Sequence, residues 1–301
     1  MRKLARMAAA ASLIATTLPA FADDDDSRYR SRSDCDSASK QGRSGSLSVV
    51  GLTADMRLVC FNEKRPAKAD SIGYVSGLMR GDTLVGIDFR VQDSRLYGVS
   101  RSGGVYALDL RNAVATKVSQ LSVALEGQSF GVDFNPAADR LRIVSDTGQN
   151  LRHNLNPGGV TLVDDPLDYP PATPLNAVGP NATAVTGSAY TNNDLSPDTA
   201  TTLYALDTRL FQVALQSPPN DGTLAATGKL GVEVASTSGF DIYSTIRSGM
   251  SVGSQGLASL QMADGANRLY SINLSTGKAT LRGAFSNQTR IIGIAIPLNQ
   301  L

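Results

Sequence analysis

The sequence predicts an all-β protein, a β-propeller of about five four-stranded blades. Three observations carry this: a composition poor in helix formers, a motif repeated at blade-like intervals, and two chain ends that complete each other. Of 27 acidic residues only Glu63, Glu126 and Glu233 are glutamates, and lysine supplies seven of 28 basic residues. Glu and Lys favour exposed helix faces, whereas Asp competes for its own backbone and prefers turns. With 28 Gly and 13 Pro, the chain is rich in turn formers. At 301 residues and 42% hydrophobic, it is also too long and too apolar for a disordered chain.

The repeated motif reads Gly86-Ile-Asp-Phe89, Gly131-Val-Asp-Phe134, a weaker Gly187-Ser-Ala-Tyr190, Gly239-Phe-Asp-Ile242 and Gly293-Ile-Ala-Ile296. Successive copies start 45, 56, 52 and 54 residues apart, the spacing of propeller blades. After the first copy the runs Ser94–Ser100, Val105–Leu110 and Ala115–Val118 are β-branched and aromatic, separated by Asp, Ser, Asn and Gly. They read as consecutive antiparallel strands. The second copy repeats the order at Asp139–Ser145, Leu151–Asn154 and Val160–Val163, and the fourth at Leu257–Gln261, Arg268–Leu274 and Ala279–Leu281.

At the N-terminus, Val49–Thr53, Arg57–Phe61 and Ser71–Val75 resemble only the second to fourth strands of a blade, and the chain ends on an orphan first strand, Ile291–Ile296. One blade is therefore expected to be shared between the two ends, which removes two open sheet edges. The alternative is an open sandwich of about 20 strands, large for one domain.

Residues 1–22 read as a signal peptide. Arg2, Lys3 and Arg6 precede an apolar stretch, and Ala20-Phe21-Ala22 is a small-x-small cleavage site. Residues 23–47 are a polar, flexible segment on this reading, and 48–301 the single propeller domain. Losing three cations from 28 leaves 25 basic residues against 27 acidic ones, a net of −2. That balance offers no footprint for nucleic acid. The apolar stretch is short for a membrane span, and no later one is longer. A secreted or periplasmic protein results, in which Cys35 and Cys60 are expected to form a structural disulfide. A metal or redox role for the pair is disfavoured by the single His and the lack of Cys-x-x-Cys.

The stretch Gly86–Arg152, including Gly-Val-Asp-Phe-Asn-Pro-Ala-Ala-Asp-Arg-Leu-Arg-Ile-Val-Ser-Asp-Thr-Gly-Gln-Asn-Leu-Arg, together with Pro218-Pro-Asn-Asp-Gly-Thr-Leu224, resembles the bacterial domain-of-unknown-function 4394 family. The resemblance covers nearly all of residues 49–297. It implies a secreted or surface-associated propeller-like protein and brings no catalytic residues.

Several features carry chemistry on paper. Gly249-Met-Ser251-Val-Gly253 matches the Gly-x-Ser-x-Gly nucleophile elbow, but no helix pattern follows and His153 precedes the serine, so a glycine-rich loop is expected there. Arg80-Gly81-Asp82 is read as a chance tripeptide in a turn. Asp88, Asp133 and Asp241 share the third motif position, which a propeller turns toward its axis. They are candidate Ca²⁺ ligands. The competing and favoured role is a hydrogen bond to the neighbouring blade's backbone. Asp146, Gln149 and Asn150 in one turn, and Tyr169 in a proline-rich loop, are candidate ligand-binding residues. With no nucleophile–base pair evident, the reading is a non-catalytic binding or scaffold module for an extracellular small molecule, polymer or protein. The alternative is a Ca²⁺-dependent propeller hydrolase or lactonase.

Overall fold

In the computed structural model, residues 45–171, 180–196 and 198–300 are described, all within the compact unit Ser33–Leu301. They form five four-stranded antiparallel sheets. Blade 1 is shared between the ends: β1 (Ser48–Thr53), β2 (Arg57–Asn62) and β3 (Asp70–Tyr74) are completed by the last strand, β20 (Ile291–Ala295), in the order β20-β1-β2-β3. Blade 2 comprises β4 (Leu84–Arg90), β5 (Arg95–Ser100), β6 (Gly104–Leu108) and β7 (Ala115–Gln120). Blade 3 comprises β8 (Phe130–Asn135), β9 (Arg140–Ser145), β10 (Asn150–His153) and β11 (Thr161–Val163). Blade 4 comprises β12 (Val185–Tyr190), β13 (Leu203–Asp207), β14 (Gln212–Gln216) and β15 (Leu224–Lys229), and blade 5 β16 (Val234–Arg247), β17 (Met250–Met262), β18 (Asn267–Ile272) and β19 (Ala279–Ala284). A one-turn 3₁₀ helix, Pro219–Asp221, is the only helix among the described residues.

The innermost strands touch in the cyclic order β20, β4, β8, β12, β16 and back to β20, so the sheets close a ring. Each blade packs on both neighbours, which is why both faces of the inner and middle strands are buried: every residue of inner strand β12 and of middle strand β6 is buried. One cluster between blades 1 and 2 joins Val50, Leu52 and Leu58 to Leu84 and Ile87. Another between blades 1 and 5 joins Leu47, Val49 and Phe61 to Tyr243 and Leu257. Outer strands face solvent and are polar, as in Asp70–Tyr74 and Ala115–Gln120.

The motif glycines have a packing reason. A Cβ at Gly86 would lie 2.4 Å from Val132 Cγ2, and one at Gly131 would lie 2.5 Å from the Ser188 backbone nitrogen on the next inner strand. Between the same blades 2 and 3, the Arg90 guanidinium forks onto Asp139, with Nε donating to Oδ1 at 2.7 Å and Nη2 to Oδ2 at 2.6 Å.

Two details depart from the expected layout. Gly249–Gly253 is not a loop within a blade: β16 and β17 run on together to the pair Arg247↔Met250, so Ser251 sits near the tip of a long hairpin. Packing also begins at Leu47, which is fully buried, inside the segment read as flexible. The predicted signal peptide and Cys35 lie outside the described residues. Cys60 is buried in β2, and no described cysteine is free.

Candidate functional site

Three layers of residues line the ring axis. The glycine layer is its waist, where Gly86, Gly131, Gly187, Gly239 and Gly293 surround a space of ≈ 10 Å³, about one water. Two residues further along β4, β8 and β16 come Asp88, Asp133 and Asp241. At the other end, where the inner strands begin, a depression of ≈ 360 Å³ opens.

The predicted convergence of the aspartates is present. All three are buried, and each offers a carboxylate oxygen within 4.8 Å of the others. Their oxygens also make the expected inter-blade bonds. Phe134 N donates to Asp88 Oδ2 at 2.7 Å, Tyr190 N to Asp133 Oδ1 at 3.1 Å, and Ile296 N to Asp241 Oδ2 at 2.6 Å. The two alanines at the same position explain the rest. Ala189 precedes blade 5 and Ala295 precedes blade 2, so neither Ile242 N nor Phe89 N receives a carboxylate from the blade before. Ile242 N instead donates to Asp241 Oδ1, on its own strand, at 2.5 Å, and Phe89 N bonds the Asp88 carboxylate.

Burial is the main reason these carboxyls give up their protons less readily than ordinary aspartates. It raises Asp88 well above the ordinary aspartate range, with the Asp241 carboxylate adding to it, and raises Asp133 likewise, helped by Asp88 and then Asp241. Asp241 is pushed up to about 6, again by burial. The cavity beside them, ≈ 10 Å³ and also bordered by Asn193 and Tyr190, has room for one water-sized particle.

The other sequence candidates are engaged within the fold. Asp146 Oδ1 accepts from Gln128 N at 2.8 Å, and Gln149 ties down the same loop by accepting from Glu126 N and donating to Ala124 O. Asn150 is buried beside Arg142, whose Nη1 donates to Asn150 Oδ1 at 2.7 Å and to Asp164 Oδ2 at 2.6 Å. Tyr169 donates to Asp207 Oδ2 and accepts from Gln212 Nε2, and burial raises its phenol. Ser251 is held by Asp194 Oδ2, which accepts from both its N–H and its hydroxyl at 2.9 Å.

One expectation is corrected. A serine–histidine contact does exist: Ser119 Oγ on β7 lies 2.7 Å from His153 Nε2 on β10. His153 is fully buried, its Nδ1 lies 3.0 Å from Thr161 Oγ1 rather than a carboxylate, and burial lowers its pKa. A neutral imidazole between two hydroxyls at a blade interface is a satisfied core group. The sequence hid it because the partners are 34 residues apart on different blades.

Arg101 and Arg290 at the mouth of the ring also escaped sequence reasoning. Both line the depression with Met56, Gln128, Phe130 and Ile292. The signal was available in the repeat, since Arg101 follows β5 as Asp146 follows β9, and Arg290 immediately precedes an inner strand.

The family model described as a domain of unknown function (DUF4394) matches residues 57–295. This chain belongs to that family. No curated protein matches DUF4394-family residues of this chain or the remainder of it. Among solved structures, it is similar to a structural genomics protein of unknown function from Bacteroides thetaiotaomicron, at 12% identity and a TM-score of 0.45, over 85% of this chain and 68% of that one. It is also similar to an auxiliary nutrient binding protein from Bacteroides ovatus, at 14% identity and a TM-score of 0.36, over 60% of this chain and 46% of that one. The chain thus spans less than half the length of the latter. Among the described residues no helix is long and apolar enough to cross a membrane.

Proposed function

We propose that this chain is exported and acts outside the cytoplasm as a non-catalytic binding module, with the mouth of the ring as its binding surface. The observation that carries the reading is the ≈ 360 Å³ depression, lined by residues of blades 1, 2, 3 and 5. Its size falls in the range of small-molecule sites, and it sits on loops and strand starts fixed by a closed ring. Export is supported by the signal-like residues 1–22, and a Cys35–Cys60 disulfide suits that compartment. A fragment screen on residues 23–301, mapped by NMR, tests the surface: shifts are expected around residues 54–56, 83–85, 101 and 128–130. Ligands that map only elsewhere, or turnover of any of them, would overturn the reading. Intact mass should show cleavage after Ala22 and no alkylatable thiol.

A second reading rests on the aspartate cluster as a Ca²⁺ site serving a hydrolase or lactonase. Oxygens held 2.3–2.6 Å from one ion lie at most about 5 Å apart, and the three carboxylates meet that spacing. Against it, each already accepts a backbone N–H. Under this reading Ca²⁺ raises the melting temperature and a chelator lowers it; a melt that ignores both removes the site. Should Ca²⁺ bind, lactone or phosphoester turnover surviving Asp88→Asn and Asp133→Asn would clear the carboxylates of a catalytic role.

A further inference from the structure

The lining of the mouth holds two arginines and no carboxylate. Neither guanidinium makes a hydrogen bond or ion pair with a described residue. The Arg101 guanidinium lies over the Phe130 ring, 5.3 Å from its centroid, which leaves its edges open to a ligand. Arg290 is exposed at the start of β20. The acids of the adjoining loops are engaged: Asp55 accepts from Arg57, Asp82 from Ser102 and Asp146 from Gln128 N. Glu126, exposed on the Gln128 loop, is the remaining acid there. The rest of the lining is mixed: Met56, Leu84, Phe130 and Ile292 supply its apolar part, and Thr83, Gln128, Ser129 and Ser238 its polar part.

We infer that the mouth binds a small organic anion, with a carboxylate or phosphate ester held by Arg101 and Arg290 and an apolar body resting on Phe130, Leu84 and Met56. The inference rests on the binding-module reading and adds the ligand's class to it. A planar guanidinium suits both groups, because its fork matches two oxygens of either anion. The small excess of acid over base in the mature chain makes this local pair of cations stand out. Ordinary surface arginines snorkel along apolar stems into water; here one is stacked on Phe130 at the edge of a depression.

The test titrates the mature chain with benzoate, phenyl phosphate and benzyl alcohol, following Arg101, Phe130 and Met56 by ¹H–¹³C NMR. Benzoate, phenyl phosphate or both should shift these signals, and which of them binds tighter separates a carboxylate ligand from a phosphate ester. Benzyl alcohol, with the same ring and no charge, should leave them unmoved at equal concentration. Arg101→Gln and Arg290→Gln should each weaken anion binding about tenfold or more. The exposed Arg290 variant should keep its melting temperature, so the test does not depend on Arg101→Gln folding. Equal binding of benzoate and benzyl alcohol, or anion affinity indifferent to both substitutions, overturns the inference. If neutral fragments map to the mouth while neither anion does, the anion assignment falls and the binding-module reading stands; if nothing binds there, both fall.

Discussion

Asp133 differs from Asp88 and Asp241 in what surrounds its carboxylate. Its strand follows blade 2, so Phe134 N is already taken by Asp88, and the backbone bond at Asp133 is the one from Tyr190 N. Asn at this position keeps that acceptor and turns an amide toward two carboxyls that otherwise repel it. The sign with pH follows from the raised folded values. Below about pH 3.8 the cluster is protonated in both states and costs nothing; the cost grows as the unfolded chain ionises and is complete above the folded values, about 6 for Asp241. A shift of that size corresponds to about 3 kcal/mol for one group. Burial and the neighbouring carboxylates raise Asp133 in the same direction, so Asp133→Asn should stabilise the protein at pH 8 more than at pH 4, as urea melts at the two values will show. A variant no more stable at pH 8 than at pH 4, relative to the parent chain, would mean that the cluster carries no such cost. The third motif position made the convergence legible in the sequence. Which amide each carboxylate serves was not, because that depends on the alanine or aspartate one blade earlier, about 50 residues away. Arg101 and Arg290 were missed because, although each holds a definite place in the strand repeat, neither belongs to the first-strand motif, and they line one depression only when the ring closes.

At the scale of the inner strands, the glycines decide how closely blades approach. None of the five motif glycines has a left-handed φ, so their conformational freedom is not the point. Space is. A methyl at Gly131 meets the backbone nitrogen of Ser188 at 2.5 Å and the carbonyl carbon of Gly187 at 2.7 Å, which cannot rotate away, whereas the nearest atom to a methyl at Gly293 is 3.8 Å distant. Gly131→Ala should cost about 1–3 kcal/mol through overpacking, and Gly293→Ala should be near neutral. Thermal melts of the two variants check this. Equal losses would show that the repeat keeps glycine for a reason other than contact across the waist. Strand order was readable because turn residues punctuate each hairpin, while the extended β16–β17 arm was not. Its Gly-rich sequence, Gly249 to Gly253, looks like a loop, and only cross-strand pairing to the Ile246 side makes it a ladder.

For the whole ring, the last strand is the closure. Strand β20 pairs antiparallel with β1, matching Val50 to Ala295 and Gly51 to Ile294, and it touches the inner strands of blades 2 and 5. Ile291, Ile294 and Ile296 are each at most 3% exposed. Burying such a side chain is worth roughly 1.5–3 kcal/mol, so the three together are comparable to the 5–15 kcal/mol that holds a typical domain folded. Removing them also bares the ladder edge of β1, in a strand whose Val49, Val50 and Leu52 are apolar on both faces. A chain ending at Thr289 should therefore lose the cooperative melt of the full-length protein and elute from a sizing column as oligomers, through edge-to-edge pairing. The alternative outcome, a monomer with an unchanged melt, would require that blades 2 to 5 and three strands of blade 1 hold their curvature without closure. The ring argues against it, since blade 1 would then keep its sheet contacts but lose the inner strand that bridges β16 to β4. Supplying residues 290–301 as a separate peptide offers a direct control: binding that restores the monomer would place the stabilisation in the missing strand itself rather than in the chain's continuity.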